Sequence, residues 1–136
     1  MKMRKMIILM IKREAKFGVL FRHYLKAKPI PSAAFELKQT LRNSIPFSDV
    51  QEHQINALLA ANGSQGLLYK APDDSRGVKP CDYLYLRNSK SFVVIKYPSF
   101  FVIIDVQDFV KEKKKNTRKS LTAKRARKIA DIVVDL

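Results

Sequence analysis

The chain has 136 residues, with 27 Lys and Arg against 12 Asp and Glu, giving a net charge of +15 and a pI near 10.1. This length and a hydrophobic content of 46% suit one domain with a single core and exclude a disordered chain. The single cysteine, Cys81, excludes an internal disulfide and no Cys/His cluster could hold structural zinc, which implies an intracellular protein; the charge favours nucleic acid as partner before a membrane.

The charge is concentrated at the two ends. Residues 1–28 carry 9 basic side chains and 1 acid, residues 29–110 carry 8 of each, and residues 111–128 carry 10 basic side chains and 1 acid. Phosphate contacts are therefore expected from the ends, and any metal chemistry from the acids of the middle.

In chain order, Met6 to Ile11 is an apolar run flanked by Lys5 and Lys12. It is far shorter than the roughly 20 residues of a membrane helix and is followed by no signal-peptide cleavage site. It reads as a strand or the start of the first helix, with a use in dimerisation. From Lys12 to about Ala27 the spacing predicts a helix with Phe17, Leu20, Phe21, Tyr24 and Leu25 on one face, ended by Pro29 and Pro31. Glu14 falls on that apolar stripe, where an unpaired carboxylate is costly, although a first-turn glutamate is also favoured by the helix dipole.

Phe35 to Lys38 reads as a strand. Its alternation sends Phe35 and Leu37 to a core and sets Glu36 and Lys38 side by side on the opposite face. A carboxylate and an amine so paired are what a metal-dependent nuclease requires: an oxygen ligand for a hard cation, and a cation to orient or activate the attacking water. The same spacing also occurs on solvated faces of Lys-rich proteins. Ser48 with Gln51 forms a capping box, Asp49 favours a helix start, and the helix carries Val50, Ile55, Leu58 and Leu59 to a stop at Asn62-Gly63. His53 and Gln54 then lie in its second turn, where one of them can turn toward Glu36 and Lys38.

Gly66 to Ala71 is expected to be a buried strand, followed by a polar turn, Pro72 to Asp82, that holds Asp73, Asp74 and Asp82. Tyr83–Leu86, Ser91–Tyr97 and Phe100–Val106 are three β-rich runs expected to form an antiparallel meander. Lys111 to Arg118 reads as a mobile basic arm. Ser120 then caps a last helix with an apolar stripe of Leu121, Ala126, Ile129, Ala130 and Val133 and a basic stripe of Lys124, Arg127 and Lys128. Because these cations are clustered, phosphate contact without base reading is expected of Lys113, Lys114, Lys115, Arg118, Lys119, Lys124, Arg127 and Lys128.

The segments FELKQT and IPFSDVQEHQ resemble the FEAKET and HQ segments of the Holliday-junction resolvases of the PD-(D/E)XK nuclease superfamily, and are closer still to their phage-encoded relatives. The similarity extends through KPCD, SFVVIKY and the tail RKSLTAKRARKIA, covering most of the chain from Glu14 onward. It implies an α/β fold with a central mixed β-sheet flanked by helices, a restriction-endonuclease-like core. It also implies a Mg²⁺-dependent endonuclease for branched DNA, four-way junctions first, with roles in recombination and repair. Mn²⁺ would substitute for Mg²⁺. Two symmetric cuts imply a homodimer, and the setting would be the cytoplasm of a bacterium or a phage-infected host.

On this resemblance Glu36 and Asp82, with Glu14 and the Leu37 carbonyl, would hold the metal. Lys38 would position the water or stabilise developing charge, and Gln54 would orient Lys38 or a phosphate oxygen. One departure stands out. The family order places an aspartate between the first-helix glutamate and Glu-x-Lys, and none occurs between Glu14 and Glu36. Asp82, on a strand pairing beside that of Glu36, is the expected substitute, with Asp73 second. Two alternatives stay open: a basic nucleic-acid-binding protein without catalysis, and a nuclease acting on mismatches, nicks or ends.

Overall fold

The structure, a computed structural model, describes residues 16–28, 33–70, 83–115 and 118–136. In chain order these form a helix over residues 16–27 (α1), strands Ala33–Gln39 (β1) and Ser44–Pro46 (β2), a 3-10 turn Phe47–Asp49, and helix Glu52–Asn62 (α2). Strands Leu67–Lys70 (β3), Tyr83–Leu86 (β4), Lys90–Tyr97 (β5) and Phe100–Asp105 (β6) follow. Helix Val106–Lys115 (α3), strand Ser120–Thr122 (β7), helix Ala123–Ile129 (α4) and strand Ile132–Asp135 (β8) complete the chain.

The β-branched and aromatic run of β5 and β6 is buried on both faces and forms the centre of a four-stranded sheet of order β1-β5-β6-β8. The Pro98-Ser99 turn closes β5 and β6 into a hairpin, β8 adds antiparallel to β6, and β1 lies parallel to β5 with Glu36 opposite Val93 and Lys38 opposite Ile95. The fold is thus mixed α/β, a mixed sheet flanked by helices. Among the described residues nothing pairs with the outer edge of β1.

Alternation along the strands divides the core in two. Phe92, Val94, Phe101 and Ile103 face α1, where Phe17 and Phe21 are buried. Val93, Ile95, Tyr97, Val102 and Ile104 face the other way, against Ile55 and Leu58 of α2, Phe109 of α3 and Ala126 of α4. On that second face the buried Tyr97 hydroxyl donates to the Leu121 carbonyl at 3.0 Å, and burial pushes the phenol well above its ordinary pKa. Tyr97→Phe removes this donor while keeping the ring. It should lower unfolding free energy by about 1–2 kcal/mol in denaturant titration, and an unchanged midpoint would show the bond contributes nothing net.

Five expectations require correction. The central helix begins at Glu52, not after Ser48: Phe47 is drawn into the core, so residues 47–49 turn as a 3-10 segment and Gln51 becomes the cap. Leu20 is more exposed than its stripe suggests, lying beyond the sheet that Phe17 and Phe21 cover. β4 does not join a meander with β5; it pairs antiparallel with β3 in a separate ribbon, whose Leu68 is exposed rather than buried.

The expected arm is in part a helix. Val106, Phe109 and Glu112 recur at helical spacing on the core and carry α3 through Lys115, with Asp105 Oδ1 accepting from the Gln107 N–H at its start. Finally, Ser120 belongs to β7, which pairs with β2. Thr122 caps a shorter α4 by accepting from the Arg125 N–H, and Ile132, Val133 and Val134 form a strand. A β-branched triplet at a free sheet edge fits β8 better than another helical turn. No described helix is long and apolar enough to cross a membrane.

Candidate active site and nucleic-acid interface

β1 sends Phe35 and Leu37 against α1 and leaves Glu36 and Lys38 on the face shared with α2. The Lys38 Nζ stands 3.5 Å from Glu36 Oε1, with the two side chains 23% and 28% exposed. They are therefore within reach of solvent, yet held by packing on one side.

Gln54 fixes the carboxylate. Its Nε2 donates to Glu36 Oε1 at 3.0 Å, while its Oε1 accepts from the Gln51 N–H at 2.9 Å in the capping box of α2. Both ends of the amide are thus engaged, and the O/N orientation is dictated by a backbone donor on one side and a carboxylate on the other. The amide contacts Glu36, not Lys38. Glu36 Oε1 meets both Lys38 and Gln54; among the described residues Oε2 accepts no hydrogen bond. An anchored carboxylate with one such oxygen suits a hard divalent cation.

His53 points to solvent. Glu14, Asp73, Asp82 and the Met6–Ile11 run lie outside the described residues. The strand that follows Asp82, β4, pairs with β3 and not with β1, so the expected pairing beside Glu36 is replaced by β5. Among the described residues no three His, Cys, Asp or Glu side chains come together in a metal-binding group. No protein-family model and no curated protein matches the chain.

The first turn of α2 links the carboxylate to the basic tail. Gln54 reaches Glu36, and one turn-mate, Glu52, pairs with Lys113 of α3 at 3.7 Å. So exposed a pair contributes little stability, but it places the lysine-rich end of α3 beside the helix start that holds Glu36. Lys114, Lys115, Arg118, Lys119, Lys124 and Lys128 are exposed and form no ion pair among the described residues. Arg127 differs: its Nη2 contacts Asp135 Oδ1 at 2.8 Å, and its guanidinium lies 3.8 Å from the centroid of the Phe100 ring.

Sequence reading did not find the pair that stabilises this basic surface. Glu112 is buried, and Arg125 grips it through Nε to Oε1 at 2.6 Å and Nη2 to Oε2 at 3.2 Å, which raises the arginine pKa further. The fork clamps α3 to α4. Its partners are separated by β7, so no helical spacing marks them. Gln51 was equally hidden, because the cap became visible only once Phe47 was known to be buried.

Gln54→Ala removes the amide but neither charge. If Glu36 is a metal ligand of a nuclease, as the sequence leads one to expect, cleavage should fall by about 10–100-fold, as for residues that orient a metal ligand, with junction binding unchanged in a gel-shift titration. Full activity in this variant would remove Gln54 from the site.

Proposed function

We propose that the protein is a metal-dependent, structure-selective DNA endonuclease, resolving four-way or other branched DNA by phosphodiester hydrolysis. The observation that carries this reading is Glu36: anchored at Oε1 by Gln54 and Lys38, accepting no hydrogen bond at Oε2 among the described residues, and joined through the first turn of α2 and Lys113 to a basic surface. The resemblance of FELKQT and IPFSDVQEHQ to the resolvases, and hence a restriction-endonuclease-like core and a homodimer, belongs to the same proposal.

Glu36 would hold Mg²⁺ or Mn²⁺, and on the resemblance Asp82 or Asp73, Glu14 and the Leu37 carbonyl would be the further donors. A bound ion supplies Lewis acidity at the scissile phosphate and a water of lowered pKa. Gln54 keeps the Glu36 carboxylate in one orientation. Lys38 holds its ammonium beside that carboxylate, where it orients the attacking water or meets the negative charge that develops on the phosphate. The lysines of α3 and α4 take the backbone of the flanking duplex, an affinity that falls steeply with salt and carries no sequence preference.

The test is cleavage of an end-labelled four-way junction beside a linear duplex of the same sequence, in Mg²⁺ and in EDTA. Nicking of the junction alone, and in Mg²⁺ alone, is the expected result. Mg²⁺-dependent cutting of both substrates would move the target to nicks, mismatches or ends. A second reading, a basic DNA-binding protein without catalysis, rests on the absence of aspartate between Glu14 and Glu36. Tight, salt-sensitive binding with no product under Mg²⁺ or Mn²⁺ would establish it.

A further inference from the structure

The β3–β4 ribbon stands apart from the main sheet and exposes one of its faces. In its register Leu68 lies opposite Tyr85, and side chains two apart on a strand share a face, so Tyr83, Tyr85 and Leu68 lie together. They are 56%, 57% and 63% exposed. A chain of this charge, with three large apolar side chains grouped on one face of a ribbon, has a reason to keep them in water.

Tyr85 is held in a way that ordinary surface tyrosines are not. Its hydroxyl donates to the Gln65 carbonyl at 2.5 Å, and its ring lies against Gly66, the diagonal neighbour on the same face. Gly66 has φ +81°, and a Cβ there would stand 2.8 Å from both Cζ and Oη of the tyrosine. Only glycine leaves room for the ring to seat on the backbone. The ribbon root is fixed as well. The Asn88 and Ser89 N–H groups donate to the Gly63 and Ala61 carbonyls at 2.9 and 3.0 Å, and Asn62 Nδ2 donates to the Ser89 carbonyl at 3.0 Å. The cations Arg87 and Lys90 at the root are exposed.

We propose that this face is a stacking platform for unpaired nucleobases, with Tyr85 as the fixed ring, Tyr83 as the second, and Arg87 and Lys90 taking the adjoining phosphates. Two exposed aromatic rings beside cations match single-stranded nucleic acid, whose bases present π-faces whatever their sequence. The net charge of +15 makes a polyanion the complementary partner. Ser89 lies four positions before Val93, the register partner of Glu36, so the ribbon root stands roughly 13 Å along the sheet from the Glu36 register position at a rise of about 3.3 Å per residue. Bases splayed at a branch point would be gripped a few nucleotides from the strand presented to Glu36. The inference rests on the proposed DNA partner and deepens it, but it does not require catalysis.

The experiment measures binding of a fluorescein-labelled thymidine oligonucleotide of about 15 nucleotides and of a duplex of equal length, in EDTA. Wild type is compared with Tyr83→Leu, Tyr85→Leu, the double variant and Tyr83→Phe, each checked for native circular dichroism. Each leucine substitution should weaken oligonucleotide binding roughly tenfold and leave duplex binding within about twofold, while Tyr83→Phe stays within about threefold of wild type. The chain has no tryptophan, so quenching of tyrosine fluorescence by the oligonucleotide should accompany binding and shrink in the leucine variants.

If Tyr85→Leu disturbs the ribbon, Tyr83→Leu, whose hydroxyl anchors nothing in the described structure, carries the test alone. Equal oligonucleotide binding by wild type and Tyr83→Leu overturns the platform. So does a parallel loss of duplex affinity, or a change from dimer to monomer in sedimentation, which would make the face a contact between copies of the chain. Tyrosine-dependent binding by a protein that cuts nothing would refute the nuclease reading and leave the platform standing.

Discussion

Glu36→Gln is expected to abolish junction cleavage, by on the order of 10³-fold or more, while junction affinity in EDTA stays unchanged or rises. The substitution preserves side-chain volume and removes the charge from the only carboxylate that the described structure anchors on the Lys38 face of β1. A neutral amide is a poor ligand for a hard cation and does not balance the Lys38 ammonium 3.5 Å away. On the proposed reading, binding draws on the cations of α3 and α4, which the substitution does not touch. Affinity and turnover therefore separate, and single-turnover cleavage beside a gel-shift titration measures both. Residual cleavage above about a tenth of wild type would show that the hydrolytic centre lies elsewhere. Equal loss of binding and cleavage would point to a folding defect, which a thermal melt detects.

The second large effect concerns the fold. Phe101→Ala should cost about 3–5 kcal/mol and lower the melting temperature by roughly 10–20 °C. Phe101 is 1% exposed and meets three rings of α1: Tyr24, Phe17 and Phe21, at centroid separations of 5.4, 5.7 and 6.0 Å. Phe21 also packs edge-on against Phe35 at 5.0 Å. Truncation empties the centre of this cluster, and the neighbouring β5 and β8 cannot close over it without breaking their ladders. A domain is stable by only about 5–15 kcal/mol, so the variant should populate unfolded chain at growth temperature. A loss below about 1 kcal/mol in urea titration would mean that α1 is not seated on this face. Because Phe35 and Glu36 are adjacent on β1, loosening α1 should also reduce cleavage at temperatures where the variant is still folded.

Much of this was legible from residue order, and what was not has a common cause. Alternation alone placed Glu36 beside Lys38, since it depends only on the backbone of one strand. Helical spacing likewise put Gln54 within reach of them, although the helix starts three residues late. The late start follows from Phe47, whose burial outweighs the capping preference of Ser48. The runs of β3 to β6 were placed within a residue and β5 was expected to pair antiparallel with β6, as it does, but β2, β7 and β8 were not read as strands and the distant pairings were not legible: β1 pairs with β5 across more than 50 residues, and β4 turns to β3. Pairing is a property of the assembled sheet, not of any short window. The tail misled for the same reason. Its lysines describe one face of α3, and the other face is defined by Val106 and Phe109, outside the charged stretch. Ser120 and Thr122 are comparable caps in isolation, and pairing of Leu121 with Ile45 decides between them.

Glu36 sits on the strand at the rim of the sheet, whose outward edge carries no partner among the described residues. A carboxylate at a rim can be approached sideways by a long polymer at any point along its contour. If DNA is the substrate and that edge stays clear, nothing would have to be threaded and no terminus would have to be found. Covalently closed circles joined at a crossover would then be as accessible as short linear arms, and arm length would leave the encounter geometry unchanged.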